Sequence, residues 1–288
     1  MTTATPRLRP RRPGGRLATT VLLLGAAYAI LPSFWVFCAS TKTRAELFST
    51  FTLLPSFHGG FTQNLRGLVD YRGGRFYEWA LNSLLYAGVG TIASVAVSAL
   101  AGYGLAKYRF IGRSVMFNTL LAGVLIPGIT LAIPQYLLLA KLGLAGSYWS
   151  VLLPSILSPY GIYLCRIYAD AAVSDELLEA GRIDGAGEWR MFRSIALPVM
   201  IPGLVTVFLV QFVASWNNFL LPFIMLSDDR KFPITVGLFS MLHQGANQPA
   251  LYSLVIMGVF LSIIPLIALF LVLQRFWQSD LLSGAVKG

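Results

Sequence analysis

Residues 254–273 read LVIMGVFLSIIPLIALFLVL, a run of 20 residues without a charged side chain. At a rise of 1.5 Å per residue, a helix of this length spans about 30 Å, the thickness of the hydrocarbon core of a bilayer. A charged side chain at that depth costs at least roughly 2.5 kcal/mol. An uncharged apolar run of this length therefore predicts a helix that crosses a membrane.

The composition of the whole chain is also that of a membrane protein. Of its 288 residues, 56% are hydrophobic and 12% are charged. Ordinary globular domains carry roughly 45–50% apolar and about 25% charged residues, so this chain has too few charges to cover a water-facing surface. The two cysteines, Cys38 and Cys165, lie in or beside apolar stretches, which favours neither a disulfide framework nor a metal cluster.

Uncharged windows recur along the chain. Six of them lie between charged residues, at 17–41, 79–106, 114–140, 142–165, 194–227 and 232–274. Strands of a membrane β-barrel would instead alternate over about ten residues. We therefore predict an all-α membrane protein, with a domain at 16–288 and six transmembrane helices at about 17–40, 80–105, 115–140, 145–165, 198–225 and 252–274. A seventh stretch, 47–65, is broken by polar residues, Pro55 and two glycines and is predicted to be a loop.

The basic residues indicate the orientation of the chain. With six spans both termini lie on one side, and five arginines between Arg7 and Arg16 precede the first span. A cytoplasmic tail places 14 of the 22 Lys and Arg residues inside, as the positive-inside rule favours. We expect cytoplasmic N- and C-termini, a disordered basic tail at 1–15, and an uncleaved first span, which is longer than the apolar part of a signal peptide. The net charge of +10 then requires no nucleic-acid partner.

The chain lacks the residue patterns for nucleotide binding, zinc binding and ion-driven transport. The only Lys followed by Ser or Thr is Lys42, and no glycine precedes it at the spacing of a phosphate-binding loop. His58 and His243 are too far apart for a helical zinc pair. The six windows contain no Asp, Glu, Lys or Arg, the groups that ion-driven transporters place in the membrane. We expect no catalytic residue, no metal site, and an energy source in another subunit.

Half of the carboxylates, six of 12, lie in the segment 166–193 between the fourth and fifth spans. Ser174 is placed to cap a helix, and Gly185 is placed to end it. A second short helix is predicted from Glu188 until Pro198 halts it. A helix that rests on anionic headgroups would carry Lys and Arg on its polar face, so the acidic composition favours docking to a basic cleft of a partner protein.

The residues Glu179-Ala180-Gly181-Arg182-Ile183-Asp184-Gly185-Ala186, followed by Phe192, Ile195, Pro198 and Pro202, resemble the Glu-Ala-Ala coupling signature of ATP-binding-cassette (ABC) importer permeases. The resemblance covers residues 17–288 and is nearest to the carbohydrate-uptake branch, in particular the second permease of the maltose type. It implies the type I importer permease fold and a coupling segment at 174–197. It assigns to ATPase coupling Glu179, Ala180, Gly181, Asp184, Gly185, Ala186, Phe192 and Pro198.

Two positions depart from the family pattern. Gly181 replaces the third residue of Glu-Ala-Ala, and Ser174 stands where proline is common. The glycine costs about 1 kcal/mol of helix propensity relative to alanine. We interpret Gly181 as a position that lets the partner surface approach closely, and Ser174 as a helix cap, so that neither change removes docking.

The resemblance also implies the rest of the complex. A second homologous permease pairs with this chain, two ABC ATPase subunits bind ATP and Mg²⁺, and an extracytoplasmic solute-binding protein delivers the solute. The chain itself is no enzyme and holds no cofactor, and it lies among lipids in the bacterial inner membrane as a multi-pass protein. The implied function is to form half of the translocation path for a sugar or sugar derivative.

Five polar or aromatic residues are candidates for lining this path: Asn82, Gln135, Trp216, Asn217 and Asn218. Amides bond sugar hydroxyls, and aromatic faces stack on sugar C–H surfaces. Hydrogen bonding between helices accounts for membrane Asn and Gln residues equally well, so both roles stay open.

Two other functions also stay open. One is the same type of importer moving a glycerophosphodiester or a polyol, although an anionic solute favours arginines along the path and the six windows have none. The other, more distant, is a membrane-embedded enzyme that acts on lipid-linked sugars. Such an enzyme needs paired carboxylates or a metal site at the membrane surface.

Overall fold

A computed structural model describes residues 14–245 and 248–285, with side chains as far as Phe276. Every regular element in these residues is helical, which confirms the all-α prediction. The predicted basic tail lies outside the described residues, except that Gly14 and Gly15 already belong to the first helix.

The helices follow one another along the chain as α1 (Gly14–Ser40), α2 (Arg44–Ser49), α3 (Gly60–Asp70), α4 (Arg75–Leu84), α5 (Gly90–Lys107), α6 (Arg113–Leu125), α7 (Gly128–Lys141), α8 (Trp149–Ile156), α9 (Pro159–Ala172), α10 (Asp175–Ile183), α11 (Glu188–Arg190), α12 (Leu197–Trp216), α13 (Leu220–Met225), α14 (Ile234–Gly245) and α15 (Leu251–Ala285). Two π-helical segments, Leu85–Val89 and Met191–Ala196, join α4 to α5 and α11 to α12.

The lengths and composition of these helices fit six membrane crossings. Among the described residues, five stretches are long and apolar enough to cross a bilayer: Gly15–Ser40, Arg75–Lys107, Trp149–Ala172, Glu188–Trp216 and Leu251–Phe276. The pair α6 and α7 is a sixth candidate if the two bent helices form one span. The structure thus has five candidate spans, or six when this bent pair is counted as one, and the bounds of several spans differ from those expected.

The third span, predicted as one helix over 115–140, is broken. α6 ends at Leu125, α7 begins at Gly128, and the two helices are bent by 105°. Pro127 has no amide hydrogen with which to continue the helix. The residue before a proline also avoids the helical region, and Ile126 is extended, with φ −75° and ψ 121°. The chain therefore changes direction within the apolar window.

The fourth span is divided and longer than the predicted 145–165. α8 ends before Pro159, and Ser158 caps α9 by accepting a 3.0 Å hydrogen bond from the Gly161 amide. The helix then continues past the predicted end to Ala172, and its last part carries the charged residues Arg166 and Asp170.

The fifth span begins and ends earlier than the predicted 198–225. Glu188–Trp216 is one continuous stretch of 29 residues, so the expected short helix that stops at Pro198 is wrong. A proline removes an amide donor and clashes with the carbonyl four residues before it, and the wider turn of Met191–Ala196 accommodates this defect. At the other end, the Asn217 side chain donates to a carbonyl of the last turn at 2.8 Å, and the helix stops.

Small residues bring α5 and α9 together at the centre of the bundle. A Cβ atom on Gly102 would lie 2.6 Å from the backbone nitrogen of Arg166 and 2.6 Å from the Cβ of Cys165. Ala99 and Ala169 are buried beside this contact. Close backbone approach through small residues is a common way for helices to associate in lipid.

Apolar side chains also cover the outer surface of the helices. α1 exposes consecutive leucines at positions 22–24, and α6 has no buried residue. Such faces would be unfavourable in water, whereas lipid tails or an apolar partner helix cover them without cost.

The chain between α1 and α3, at the end of the bundle opposite α10, folds into a hydrogen-bonded cap around Glu46. The Glu46 carboxylate accepts 2.9 Å hydrogen bonds from the Thr43 amide, the Thr43 hydroxyl and the Ser56 hydroxyl. These bonds, the Thr43 amide first, lower the pKa of Glu46 to about 2. The segment 47–65, predicted as loop, thus contains the end of α2 and the start of α3.

The Glu46 hydrogen bonds predict a pH dependence of stability. Because the folded chain lowers the pKa of Glu46 from 4.5, the contribution of this group is present above pH 4.5 and is lost as the pH falls to about 2. We expect the detergent-solubilised chain to unfold at a higher temperature than Glu46→Gln at pH 7, and the difference to vanish across this window. Scanning fluorimetry at stepped pH measures it, and a difference independent of pH would contradict the assignment.

Candidate functional site

The helix predicted in the acidic segment is α10, and local hydrogen bonds fix both of its ends. The Ser174 hydroxyl accepts a hydrogen bond from the Leu177 amide at 3.3 Å. At the other end Gly185 has φ +77°, and the Ala186 amide donates to the Gly181 carbonyl at 2.9 Å. This arrangement is a Schellman motif, which requires a left-handed residue at the position of Gly185. α10 therefore has a defined length and a defined exit.

α10 has one face against the bundle and one free face. Leu178 and Gly181 are buried, whereas Ile183 is 87% exposed and Leu177 is 37% exposed. Of the residues assigned to coupling by resemblance, those on the surface are Glu179, Ala180, Asp184, Gly185 and Pro198, and Ala186 is half-buried. Exposed apolar side chains rimmed by carboxylates are typical of a protein docking surface.

Ionic contacts join α10 to the neighbouring helices. Lys107 Nζ, at the end of α5, lies 3.1 Å from Asp175 Oδ1. Arg182 Nε lies 3.7 Å from Glu188 Oε1, and the Tyr108 hydroxyl donates to the same carboxylate group. Burial raises the pKa of the Tyr108 hydroxyl, which therefore keeps its proton and acts as the donor. α10 is thus linked to the end of the second span and to the start of the fifth.

Gly181 packs against another segment of the same chain and does not face outward. A Cβ atom on Gly181 would lie 2.6 Å from Cδ1 of Ile195, in the π-helical segment. The interpretation that Gly181 admits a partner surface is therefore wrong, because the close approach is internal. Phe192, also assigned to coupling by resemblance, is buried, with its ring centre 5.3 Å from that of Tyr103.

The position of Gly181 leads to a graded expectation. Gly181→Ala should change the free energy of unfolding by less than about 1 kcal/mol, because the end of the Ile195 side chain is able to rotate away and alanine favours the helix. Gly181→Leu should displace α10, and a second change, Ile195→Ala, should make room for the leucine and restore the position of α10. Thermal unfolding and ATPase retention during purification measure both effects. Loss of the ATPase from Gly181→Ala at unchanged stability would show that position 181 meets the partner.

Two of the predicted path residues meet at a cavity of about 380 Å³ beside the start of α7. The cavity is lined by Gly128, Ile129, Leu131, Ala132, Gln135, Pro154, Ser155, Asn218, Leu220 and Leu221. Gln135 comes from α7, Ser155 from α8, and Asn218 from the turn that follows the fifth span. Asn217, next to it, is exposed and bonds its own helix.

Two other predicted path residues make structural hydrogen bonds instead. The Asn82 amide donates to the carbonyls of Arg230 at 2.7 Å and Phe232 at 3.1 Å. Trp216 Nε1 donates to the Ser262 carbonyl at 3.2 Å. Both side chains are buried and neither lines the cavity. Bonding between chain segments, the alternative left open above, accounts for these two residues.

Sequence reasoning gave no role to Ile183, Lys107 or Tyr108. Ile183 is exposed because the buried face of α10 lies on the other side of the helix. The sequence of this nine-residue helix mixes apolar and charged residues and does not show which face is buried. Lys107 and Asp175 are 68 positions apart, and no local pattern relates them.

Known proteins with similar sequences identify the family. A family model described as the binding-protein-dependent transport system inner membrane component matches residues 94–279. The chain belongs to this family. The permease is 36% identical to the arabinooligosaccharides transport system permease protein AraQ of Bacillus subtilis (strain 168), over 95% of this chain and 96% of the relative. It is 28% identical to the sn-glycerol-3-phosphate transport system permease protein UgpE of Yersinia enterocolitica, over 92% and 94%.

The fold of this permease matches a solved structure. That structure is of a bacterial ABC transporter involved in the import of the acidic polysaccharide alginate; the TM-score is 0.78, with 94% of this permease and 99% of the solved chain covered. At 23% identity the likeness concerns the fold. The resemblance inferred from Glu179–Ala186 is confirmed, and the chain is a multi-pass inner-membrane permease of the ABC importer type.

Proposed function

We propose that this permease is the transmembrane subunit of an ATP-driven, binding-protein-dependent importer for a sugar or sugar derivative, and that it forms half of the translocation path. The observation that carries the proposal is the free face of α10, where Ile183 is 87% exposed among carboxylates on a helix fixed at both ends. The relative named for arabinooligosaccharide transport supports the sugar class.

Energy enters this permease through α10. Two ATPase subunits bind ATP and Mg²⁺, and each permease subunit receives their movement at one coupling helix. Glu179 pairs with a basic residue of the ATPase cleft, and the Ile183 side chain fills an apolar part of it. The movement passes on through the contact of Gly181 with Ile195 and through the Lys107 ion pair. The docking surface is completed by Ala180, Asp184, Gly185 and Ala186.

The orientation follows from the same docking. Because the ATPase subunits are cytoplasmic, α10 and both termini lie on the cytoplasmic side, in accord with 14 of the 22 basic residues. The cap around Glu46 then faces outward, toward the solute-binding protein. A second homologous permease covers part of the exposed apolar surface, and lipid covers the remainder.

A glycerophosphodiester or a polyol is the second candidate solute, because the sn-glycerol-3-phosphate relative covers nearly the whole chain. The cavity favours a neutral solute over the anionic glycerophosphodiester. None of its lining residues is charged, whereas an anion in a low-dielectric site requires a cation or several donors.

Purification of the tagged permease from its native membrane tests the proposal. We expect a second permease and two copies of an ATPase to purify with it, and sugar uptake by the reconstituted complex to require ATP and the binding protein. An active homodimer that transports without ATP would refute the proposal.

A further inference from the structure

The cavity beside α7 has the position of a solute site. It lies where the 105° bend between α6 and α7 interrupts the third span. The bend comes 13 residues after Arg113, or about 20 Å along a helix, so the cavity is within the membrane and toward the end of the bundle opposite α10. A break in a membrane helix is tolerated where it is buried in protein or lines a water-filled space.

The polar groups of the cavity suit hydroxyl groups. The Gln135 amide is half-buried and makes no hydrogen bond within the part of the chain that the structure describes. Asn218 Oδ1 accepts from the Leu221 amide at 3.4 Å, which leaves the Asn218 amide hydrogens available. The Ser155 hydroxyl donates to the Val151 carbonyl at 2.7 Å and keeps its acceptor capacity. The site therefore offers donors and acceptors on two sides.

The remaining lining is apolar and uncharged. Ile129, Leu131 and Pro154 present hydrocarbon surface, against which the C–H face of a sugar ring packs. The lysine of the neighbouring loop, Lys231, is engaged, because its Nζ donates to the Gly146 carbonyl at 2.9 Å and lies 4.0 Å from Asp228. An anionic solute in the cavity would lack a compensating cation among the lining residues.

We propose that this cavity is a binding subsite for a neutral saccharide, with Gln135 and Asn218 as the residues that select for hydroxyl groups. The proposal rests on the function proposed above. A volume of about 380 Å³ is at the lower end of ligand pockets, so the subsite holds one or two sugar rings of a longer chain. The permease then contributes to selection together with the binding protein.

The test uses the complete importer in proteoliposomes with its binding protein. Labelled arabinobiose, lactose and maltose are offered as neutral sugars, and sn-glycerol 3-phosphate as the anion. Gln135→Leu keeps the side-chain volume and removes the amide, and Asn218→Ser keeps a capping oxygen and removes the amide donor. Asn118→Ala removes an exposed amide from α6, outside the cavity, and is the matched control.

We expect each cavity variant to transport about fivefold less sugar per ATP, the effect of one lost hydrogen bond, while ATP hydrolysis stimulated by the binding protein stays within about twofold. A merely structural defect would lower uptake and hydrolysis together. Asn118→Ala should behave as the wild type, and the anion should not be transported.

The outcomes separate the two proposals. Sugar uptake by the wild type that is unchanged in both cavity variants would overturn the subsite and leave the importer function standing. A parallel fall in uptake and hydrolysis would also overturn the subsite. Transport of sn-glycerol 3-phosphate with none of the three sugars would overturn the sugar function itself.

Discussion

Gly102→Val is expected to prevent the chain from folding stably. Even a Cβ atom at this position would lie 2.6 Å from the Arg166 backbone nitrogen and 2.7 Å from the Cys165 carbonyl carbon. A backbone atom is unable to rotate away as a side chain does, so α5 and α9 would have to separate. Overpacking a core costs about 1–3 kcal/mol for added methylenes, and a contact with backbone belongs at or above the upper end.

The same helix offers a matched control two residues away. A Cβ atom on Gly104 would meet no atom within 4 Å, so Gly104→Ala should keep or raise stability by up to about 1 kcal/mol through helix propensity. Fluorescence-detected size-exclusion chromatography after heating compares Gly102→Ala, Gly102→Val and Gly104→Ala. Equal unfolding midpoints for the two alanine variants would show that α5 and α9 are not in close contact.

Ile183→Asp is expected to detach the ATPase from the permease while the fold is kept. The side chain is 87% exposed in the isolated chain, so the change costs little in folding, but it places a charge in the apolar part of the interface. Losing a central apolar contact costs about 2 kcal/mol or more, which weakens binding roughly 30-fold or more. Glu179→Arg should act in the same direction, because it reverses the charge that faces a basic cleft.

A charge reversal at the opposite end of the bundle serves as the control. Asp70 is exposed at the end of α3, and Asp70→Arg should retain the ATPase at the wild-type amount. Affinity purification followed by quantitation of the ATPase, with ATP-dependent sugar uptake on the same sample, measures the effect. Full recovery of the ATPase with both Ile183→Asp and Glu179→Arg would show that α10 is not part of the docking surface.

The uncharged apolar windows were sufficient for the all-α membrane class and for the approximate positions of the spans, since the cost of a buried charge operates at every position of an apolar window. The ends of α10 were also predictable, because a serine cap and a left-handed glycine act within one helical turn. Each of these features depends on residues that are neighbours in the sequence.

Features that depend on residues far apart were not predictable. Pro127 and Pro198 both interrupt a helix in principle, yet the first breaks its span and the second is absorbed by a π-helical segment. Only the surrounding packing decides between these outcomes. In the same way, the role of Gly181 depends on Ile195 being beside it. Asn82 bonds two distant carbonyl groups, whereas Gln135 lines the cavity, and the sequence does not distinguish these two amides.

The continuous helix from Glu188 to Trp216 has a mechanical consequence. Its 29 residues extend about 43 Å, from the segment beside α10 to the turn that carries Asn218. The π-helical segment Met191–Ala196 and two prolines interrupt its regular turns, but no loop separates its two ends. If α10 docks to the ATPase as proposed, we expect a tilt at the Glu188 end to displace the turn that carries Asn218 as well.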